Sequence, residues 1–365
     1  MIDANDSNTM LVFTGGGTGG HIYPGLAVAA ALGDICRCRI VWLGSKNSAD
    51  RLVVEGAGIE FRAISSGKLR RYFSFYNFTD FFRIIAGFFS SILFLKEHKP
   101  ALLFSKGGFV SVPPAAAAFV LRIPVFTHES DFSPGLATRI NAYFAKKIFT
   151  SYGQTASFFK KRYFDKITLS GNPVRPRFYA ANPETGRSYL NIGADEKILL
   201  VLGGSQGAAE INGLVESCFD GITKNFFVVH QAGPGFEERR AVRYIRLPYI
   251  RDELPDILAA ADLVLGRAGA GTLWECAAAG KPLVLIPLSG RSTRGDQIEN
   301  AEFFEKKGAA RVLVRPGAAE LLKTLDELAE NGERLTAMAA ASAQIGTTRG
   351  APIIARHITG QILKG

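Results

Sequence analysis

Cysteine is scarce in this sequence: four residues, Cys36, Cys38, Cys218 and Cys276, are spread over a chain of 365. That density is far below a disulfide scaffold and no C-x-x-C pair occurs, so the thiols read as reduced and mostly structural. The five histidines (His21, His98, His128, His230 and His357) are equally dispersed, and His128-Glu129 lacks the second histidine of a zincin helix. A metal site is not supported. Residues 1–9 are polar and carry two aspartates where a secretory leader has its basic and apolar regions, so a cytoplasmic protein is expected. Acidic residues are in deficit, 33 against 43 Lys and Arg, which leaves a net charge of +10. That charge calls for an anionic partner: nucleic acid, a phosphorylated substrate or an acidic membrane surface. Composition does not choose among them.

The rest of the composition is ordinary globular material, with 47% hydrophobic and 21% charged residues, in a chain long enough for two cores. Glycine is concentrated in loops. In "LVFTGGGTGGHIYP", residues 11–24, Gly15, Gly17 and Gly20 meet the G-x-G-x-x-G spacing. Glycines so placed permit a tight strand-to-helix turn and the approach of a pyrophosphate to a helix N-terminus. An apolar run of strand length, "MLVFT", precedes the loop, and the small-residue helix "GLAVAAAL" follows it. Further strands are expected at 39–44, 101–105, 124–128 and 146–151, separated by helical stretches. The pattern restarts at 197–213, "KILLVLGGSQGAAEING", with later strands at 226–231, 262–267 and 282–287. Two doubly wound α/β domains with mainly parallel sheets are therefore expected. Three prolines within residues 171–183 mark the boundary. The division expected is 1–172 for an N-terminal domain and 173–345 for a C-terminal one, with residues 346–365 forming a helix that packs back on the first.

A nicotinamide-binding unit needs an acidic residue at the end of its second strand for the ribose hydroxyls. Here that strand ends in Gly44-Ser45-Lys46, and Asp34 lies before it. An NAD(P)-dependent oxidoreductase also leaves the second glycine loop unexplained. Two Rossmann-like domains facing a cleft, each with its own loop, suit a nucleotide-sugar transferase better.

Seven segments carry a resemblance. They are Thr14–His21 with Pro24, "KGGFVSVPPAAAA" at 106–118, "HESDFSPGLATR" at 128–139, "GNPVR" at 171–175, "GGSQGA" at 203–208, "GRAGAGTLWECAAAGKPLVLIP" at 266–287 and "DQIENA" at 296–301. In this order they resemble the MurG family of bacterial N-acetylglucosaminyltransferases across almost the whole chain. The resemblance implies a GT-B architecture and an inverting transfer that uses neither metal nor cofactor. N-acetylglucosamine would pass from UDP-N-acetylglucosamine to the 4-hydroxyl of undecaprenyl-linked lipid I. The implied partners are these two substrates and an anionic membrane surface at the cytoplasmic face, with no nucleic acid. A related transferase acting on another lipid, and a non-catalytic nucleotide-sugar-binding module, stay open as alternatives.

Residue by residue, the resemblance implies that Glu275 holds the uridine ribose, with Ala270, Gly271, Thr272 and Leu273 at the helix start that meets phosphate. Thr272-x-x-Glu275 is also a capping box, which leaves a purely structural role open. Ser205 would meet the diphosphate, or simply sit in a turn. Arg175 would lie near the uracil and Ile250 would read it through its backbone; a solvated linker charge is the plainer role for Arg175. Asp296 and Gln297 would bond sugar hydroxyls, with an N-cap as the alternative for Asp296. In the first loop, Thr18, Gly19 and Gly20 are substrate-binding candidates. His21 is the candidate general base and Asp131 its competitor or orienting partner.

The sequence departs from the commoner family pattern in carrying Ser130-Asp131 for Gln-Asn, Phe109 for tyrosine and Gly266 for serine. Residues 67–99 hold eight of the 27 phenylalanines. Their uncharged core, Ile84 to Leu95, spans 12 residues, against roughly 20 needed to cross a bilayer. The expectation is an amphipathic helix with Phe78, Phe81, Phe82, Ile85, Phe89 and Ile92 on one broad face. Lys68, Arg70, Arg71 and Arg83 would meet anionic headgroups, and the opposite face would pack on the sheet.

Overall fold

The structure is a computed structural model and describes residues 9–17, 19–46, 50–67, 76–204, 207–290 and 295–364, with the side chains of 76–79 excepted. The chain forms two compact units, Met1–Arg175 with Thr348–Gly365 and Pro176–Thr347.

In the first unit the strands are β1 (Met10–Thr14), β2 (Arg39–Ser45), β3 (Glu60–Ile64), β4 (Leu102–Ser105), β5 (Val125–Glu129), β6 (Lys147–Thr150) and β7 (Ile167–Leu169). They make one sheet in the order β3-β2-β1-β4-β5-β6-β7, with every described pairing parallel. Continuous apolar strands such as "MLVFT" are buried along their whole length because helices cover both faces. Those helices are α1 (Gly19–Gly33), α2 (Asp50–Gly56), α3 (Tyr76–His98), α4 (Val112–Val120) and α5 (Leu136–Phe144). A last helix, Gly350–Ile362, returns to this unit. It buries Ala351, Ile354, Ala355, Ile358 and Ile362 in one cluster with Leu11, Phe13, Val28 and Trp42.

The second unit repeats the plan. Its strands are β8 (Ile198–Leu202), β9 (Phe227–Gln231), β10 (Arg239–Ala241), β11 (Tyr244–Leu247), β12 (Leu263–Gly266), β13 (Leu283–Leu285) and β14 (Ala310–Val312). Their order is β10-β11-β9-β8-β12-β13-β14, parallel except for the β10–β11 hairpin. Its helices are α6 (Pro183–Leu190), α7 (Ala209–Ser217), α8 (Phe219–Asn225), α9 (Leu254–Ala260), α10 (Ala270–Ala278), α11 (Asp296–Lys306), α12 (Ala318–Glu330) and α13 (Gly332–Gly346).

The sheets are wider than the sequence reading, which missed β3, β7, β10, β11 and β14. Polar residues interrupt β3, β7, β10, β11 and β14, and β10 is exposed at every position, so none carries the continuous apolar run by which a buried strand is recognised. The four thiols are free, and the Sγ atoms of Cys36 and Cys38 lie 3.4 Å apart.

Each strand order reverses beside the strand that feeds a glycine loop, between β1 and β4 in one unit and between β8 and β12 in the other. Open α/β sheets bind ligands at such switch points, at the carboxyl ends of the strands. Register brings the ends together: Thr14 stands level with Leu43 and Ser105, and Leu202 with Gly266 and Gln231.

Candidate active site

In the first unit the loop after β1 is anchored from three directions. The Gly17 N–H donates to Asp50 Oδ2 at 2.8 Å, the Trp42 indole to the Gly15 carbonyl at 3.0 Å, and the Lys106 N–H to the Thr14 carbonyl at 2.8 Å. His21, in the first turn of α1, is half-buried. Its ring packs against the turn after β4, with Cγ and Cδ2 3.5 and 3.6 Å from the points where Gly108 and Gly107 would carry a Cβ. Gly108 has φ +77°, and a Cβ there would stand 2.6 Å from the Gly16 carbonyl oxygen. Both conditions exclude a side chain. Gly108→Ala is expected to destabilise the protein by about 2 kcal/mol, from αL strain plus displacement of the Gly15–Gly17 loop. An unchanged urea midpoint would show the turn to be tolerant.

The "HESD" segment divides its polar groups between support and chemistry. His128 is fully buried and its Nε2–H donates to the Gly171 carbonyl at 3.1 Å. Burial, then the Lys106 ammonium, hold its imidazole well below the usual histidine range. It is a neutral structural residue, unsuited to taking a proton at neutral pH. The two Glu129 carboxylate oxygens accept the N–H groups of Asp131 and Gly135, each at 3.0 Å. Asp131 is thereby held, half-buried, on a turn wrapped around Glu129. Asn141, buried on α5, donates to Ser105 Oγ at 2.9 Å and Ser111 Oγ at 2.8 Å, bracketing the glycine turn. Arg175 stacks over the Tyr23 ring with its guanidinium carbon 4.7 Å from the centroid. That contact departs from a freely solvated linker charge. Thr18 lies outside the described residues; Gly19 and Gly20 open α1.

In the second unit α10 starts at Ala270 with Gly269 as its N-cap. Thr272 is thus the third residue of the helix, and the capping-box reading of Thr272-x-x-Glu275 is corrected: its spacing was right but the helix begins earlier. Ala270, Gly271 and Thr272 form the first turn, whose backbone N–H groups point out of the helix start. Leu273 is buried, and Glu275 is half-buried one turn on. Likewise Gly295, in the left-handed region, caps α11, so Asp296 is the first helical residue and its N-cap alternative fails. The Gln297 side-chain carbonyl accepts the Leu288 N–H at 3.0 Å. The Ile250 N–H donates to Gln231 Oε1 at 2.9 Å. Ser205 lies outside the described residues.

Sequence reasoning passed over several residues that hold these loops. Gln231, buried, bonds Ile250 and reaches the Gly204 carbonyl at 3.3 Å. Arg267 pairs with Glu210 at 2.8 Å and donates to the Ile286 carbonyl at 2.9 Å. Asp50 and Lys106 do the same in the first unit. The available signal was a polar residue at or just past the end of an apolar strand, as at Gln231, Arg267 and Lys106; Asp50, at the start of α2, carried none. At Gly266 a Cβ would lie 2.8 Å from the Leu202 carbonyl oxygen, so a side chain there would require β12 or β8 to shift.

Comparison with known proteins agrees with this geometry. The glycosyltransferase family 28 N-terminal domain matches residues 11–150 and the family 28 C-terminal domain residues 198–353. The chain is 49% identical to the UDP-N-acetylglucosamine–N-acetylmuramyl-(pentapeptide) pyrophosphoryl-undecaprenol N-acetylglucosamine transferase of Treponema denticola, covering 94% of this chain and 96% of the relative. The transferase of the same name from Clostridium kluyveri is 40% identical over 83% of this chain and 86% of its own. Among solved structures, Acinetobacter baumannii MurG superposes with a TM-score of 0.71 at 25% identity, covering 98% of this chain and 100% of that one. The two Rossmann-like units are those of GT-B glycosyltransferases, and the oxidoreductase reading falls away. The chain belongs to glycosyltransferase family 28, within the MurG family of N-acetylglucosaminyltransferases.

Proposed function

We propose that this protein transfers N-acetylglucosamine from UDP-N-acetylglucosamine to the 4-hydroxyl of the N-acetylmuramyl-pentapeptide of lipid I, giving lipid II and UDP. The observation that carries this reading is a glycine loop at the switch point of each sheet, in a chain 49% identical to a transferase of that name. The second unit takes the donor. The first turn of α10 meets the diphosphate with backbone N–H groups and the positive end of the helix dipole. Glu275 takes the ribose hydroxyls, the Ile250 carbonyl the uracil, and Asp296 and Gln297 the sugar hydroxyls. The first unit takes the acceptor and supplies the base. As the acceptor oxygen bonds to the anomeric carbon, its proton passes to His21. The anomeric C–O bond breaks, its electron pair leaves with UDP, and the configuration inverts. Thr18 and Ser205 belong to the same scheme as phosphate contacts. Incubation with UDP-N-acetylglucosamine and a short-chain lipid I analogue should yield the disaccharide product; no product from a folded, donor-binding protein would sink the proposal.

The lipid acceptor bears on α3. No helix among the described residues is long and apolar enough to cross a membrane. Instead Phe81, Phe82, Ile85, Phe89 and Leu93 are exposed along one stripe of α3, while Phe88, Ile92 and Phe94 pack on the sheet. Ile92 therefore lies on the inward face, contrary to expectation, with Leu93 in its place. Phe78 has no described side chain, and Lys68, Arg70 and Arg71 lie outside the described residues. Arg83 pairs with Asp80 at 3.1 Å. This stripe is our candidate for a peripheral contact with the cytoplasmic membrane face. Replacing Phe81, Phe82 and Phe89, each more than half exposed, with serine should leave thermal stability and transfer to a soluble acceptor intact. Sedimentation with anionic vesicles should fall several-fold; unchanged sedimentation refutes the contact.

A further inference from the structure

At the carboxyl end of β9 three successive residues, His230, Gln231 and Ala232, each fasten part of the second glycine loop or the helix after it. Gln231 reaches the Gly204 carbonyl at 3.3 Å. The Ala232 carbonyl faces Gly207, where a Cβ would collide with it, and accepts an Asn212 Nδ2–H from α7 at 2.8 Å. His230, 2% exposed, stands behind both. Its Nε2 lies 3.0 Å from Asn212 Oδ1, and its Nδ1 lies 3.0 Å from the Tyr244 hydroxyl on β11. The directions of these bonds follow from one fixed point. A carbonyl oxygen only accepts, so the Asn212 amide turns its NH2 to Ala232 and its oxygen to His230. That oxygen also only accepts, so Nε2 carries a proton. Both partners of the ring are neutral, and an imidazolium so buried would be costly. Burial, then the Arg246 guanidinium, draw its pKa down to about 4, with Glu216 pulling the other way. The ring is therefore neutral at pH 7, and Nδ1 accepts the Tyr244 O–H. Tyr244, His230, Asn212 and Ala232 form one chain in which each group donates to the next.

We propose that His230 is a positioning residue for the donor site: as the Nε2–H tautomer it holds Asn212, and through Asn212 the start of α7 and the second glycine loop, in the arrangement that meets a nucleotide diphosphate. The inference rests on the reading of the second unit as the donor half. Gly203, Gly204 and Gly207 give the loop no side chains of their own to hold it, and Gly204 and Gly207 have φ of +84° and +75°. Such backbone is held by its surroundings, which here are the last residues of β9 and Asn212. The Asn212 N–H also donates to the Ala208 carbonyl at 2.8 Å, so the same residue closes the loop onto the helix. Histidine suits the task because one small ring donates on one side and accepts on the other, joining α7 to β11 across β9.

Two arms test this. Two-bond ¹H–¹⁵N correlation spectra of ¹⁵N-histidine protein read the tautomer, with the His230 signals assigned by their loss in His230→Gln. A neutral ring with its proton on Nε2 is expected at about pH 6, where an unperturbed histidine is mostly protonated; a proton on Nδ1 alone, or a cationic ring, overturns the relay. The second arm is calorimetric affinity for UDP, which needs no acceptor. The amide N–H of His230→Gln reaches the place of Nε2 and keeps the bond to Asn212, whereas the side chain of His230→Asn is one carbon shorter and does not. His230→Asn should bind UDP about tenfold more weakly and raise the KM for UDP-N-acetylglucosamine, with kcat at saturating donor little changed. His230→Gln should recover most of that affinity. Equal losses in the two variants, or no loss in His230→Asn, make His230 purely structural and overturn the proposal. If His230→Asn does not fold, the tautomer and His230→Gln decide, and about a tenfold loss of affinity in His230→Gln counts against the relay. Wild-type protein that binds no UDP overturns this inference together with the donor half of the proposed function; protein that binds UDP but transfers nothing defeats the reaction alone.

Discussion

His21→Ala is expected to lower kcat by roughly 10² or more, the scale of a lost general base, while the affinity for UDP-N-acetylglucosamine stays nearly unchanged. An alcohol attacks poorly until a base takes its proton, and histidine, whose unperturbed pKa is about 6.5, is the side chain suited to that task at neutral pH. His128 is the only other histidine in the surrounding segments, and its burial and its bond to Gly171 remove it from consideration. The His21 ring is half-buried on the Gly107-Gly108 turn, and truncation to alanine should cost little stability. Asp131→Asn, which restores the commoner residue, should retain substantial activity. Single-turnover rates with saturating donor, alongside calorimetric donor affinity, separate the outcomes. A dead asparagine variant beside an active alanine variant would exchange the two roles.

Glu275→Ala should fold normally and bind UDP-N-acetylglucosamine roughly 10- to 100-fold more weakly. With Gly269 as the N-cap of α10, Glu275 does not close a capping box, so no cap energy is lost with it. In the proposed reaction, what is lost is a charged acceptor for the ribose hydroxyls. Hydrogen bonds to charged groups are worth about 1.5–3 kcal/mol, and about 1.4 kcal/mol is tenfold in affinity. Calorimetry with donor reads the affinity and a melting curve reads the fold. Unchanged affinity would return Glu275 to a structural role.

The α/β class was legible because its signals are local. Apolar runs such as "MLVFT" and "ILLVL" are buried on both faces only in parallel sheets flanked by helices. Glycine loops directly after them mark the strand-to-helix turns where phosphates bind. The short strands were not legible, because an exposed three-residue edge such as Arg239–Ala241 is held by its neighbour's backbone and not by its own side chains. The helix starts misled for a related reason: Thr272 and Asp296 are good capping residues, but Gly269 and Gly295 take the cap positions through backbone conformation.

By itself, then, the sequence determined the two α/β halves and the glycine loops, since spacing along one strand and helix suffices for each, while roles for His21 and Glu275 came only as what the resemblance implies. The tertiary structure decided which side chains support them. Lys106, Ser130 and Asn172 lie 24 and 42 residues apart along the chain and meet only because the segments after β4, β5 and β7 come together at the carboxyl end of the parallel sheet. It also decided which face of α3 is covered, because that depends on what packs against the helix, and an apolar residue reads the same on either face.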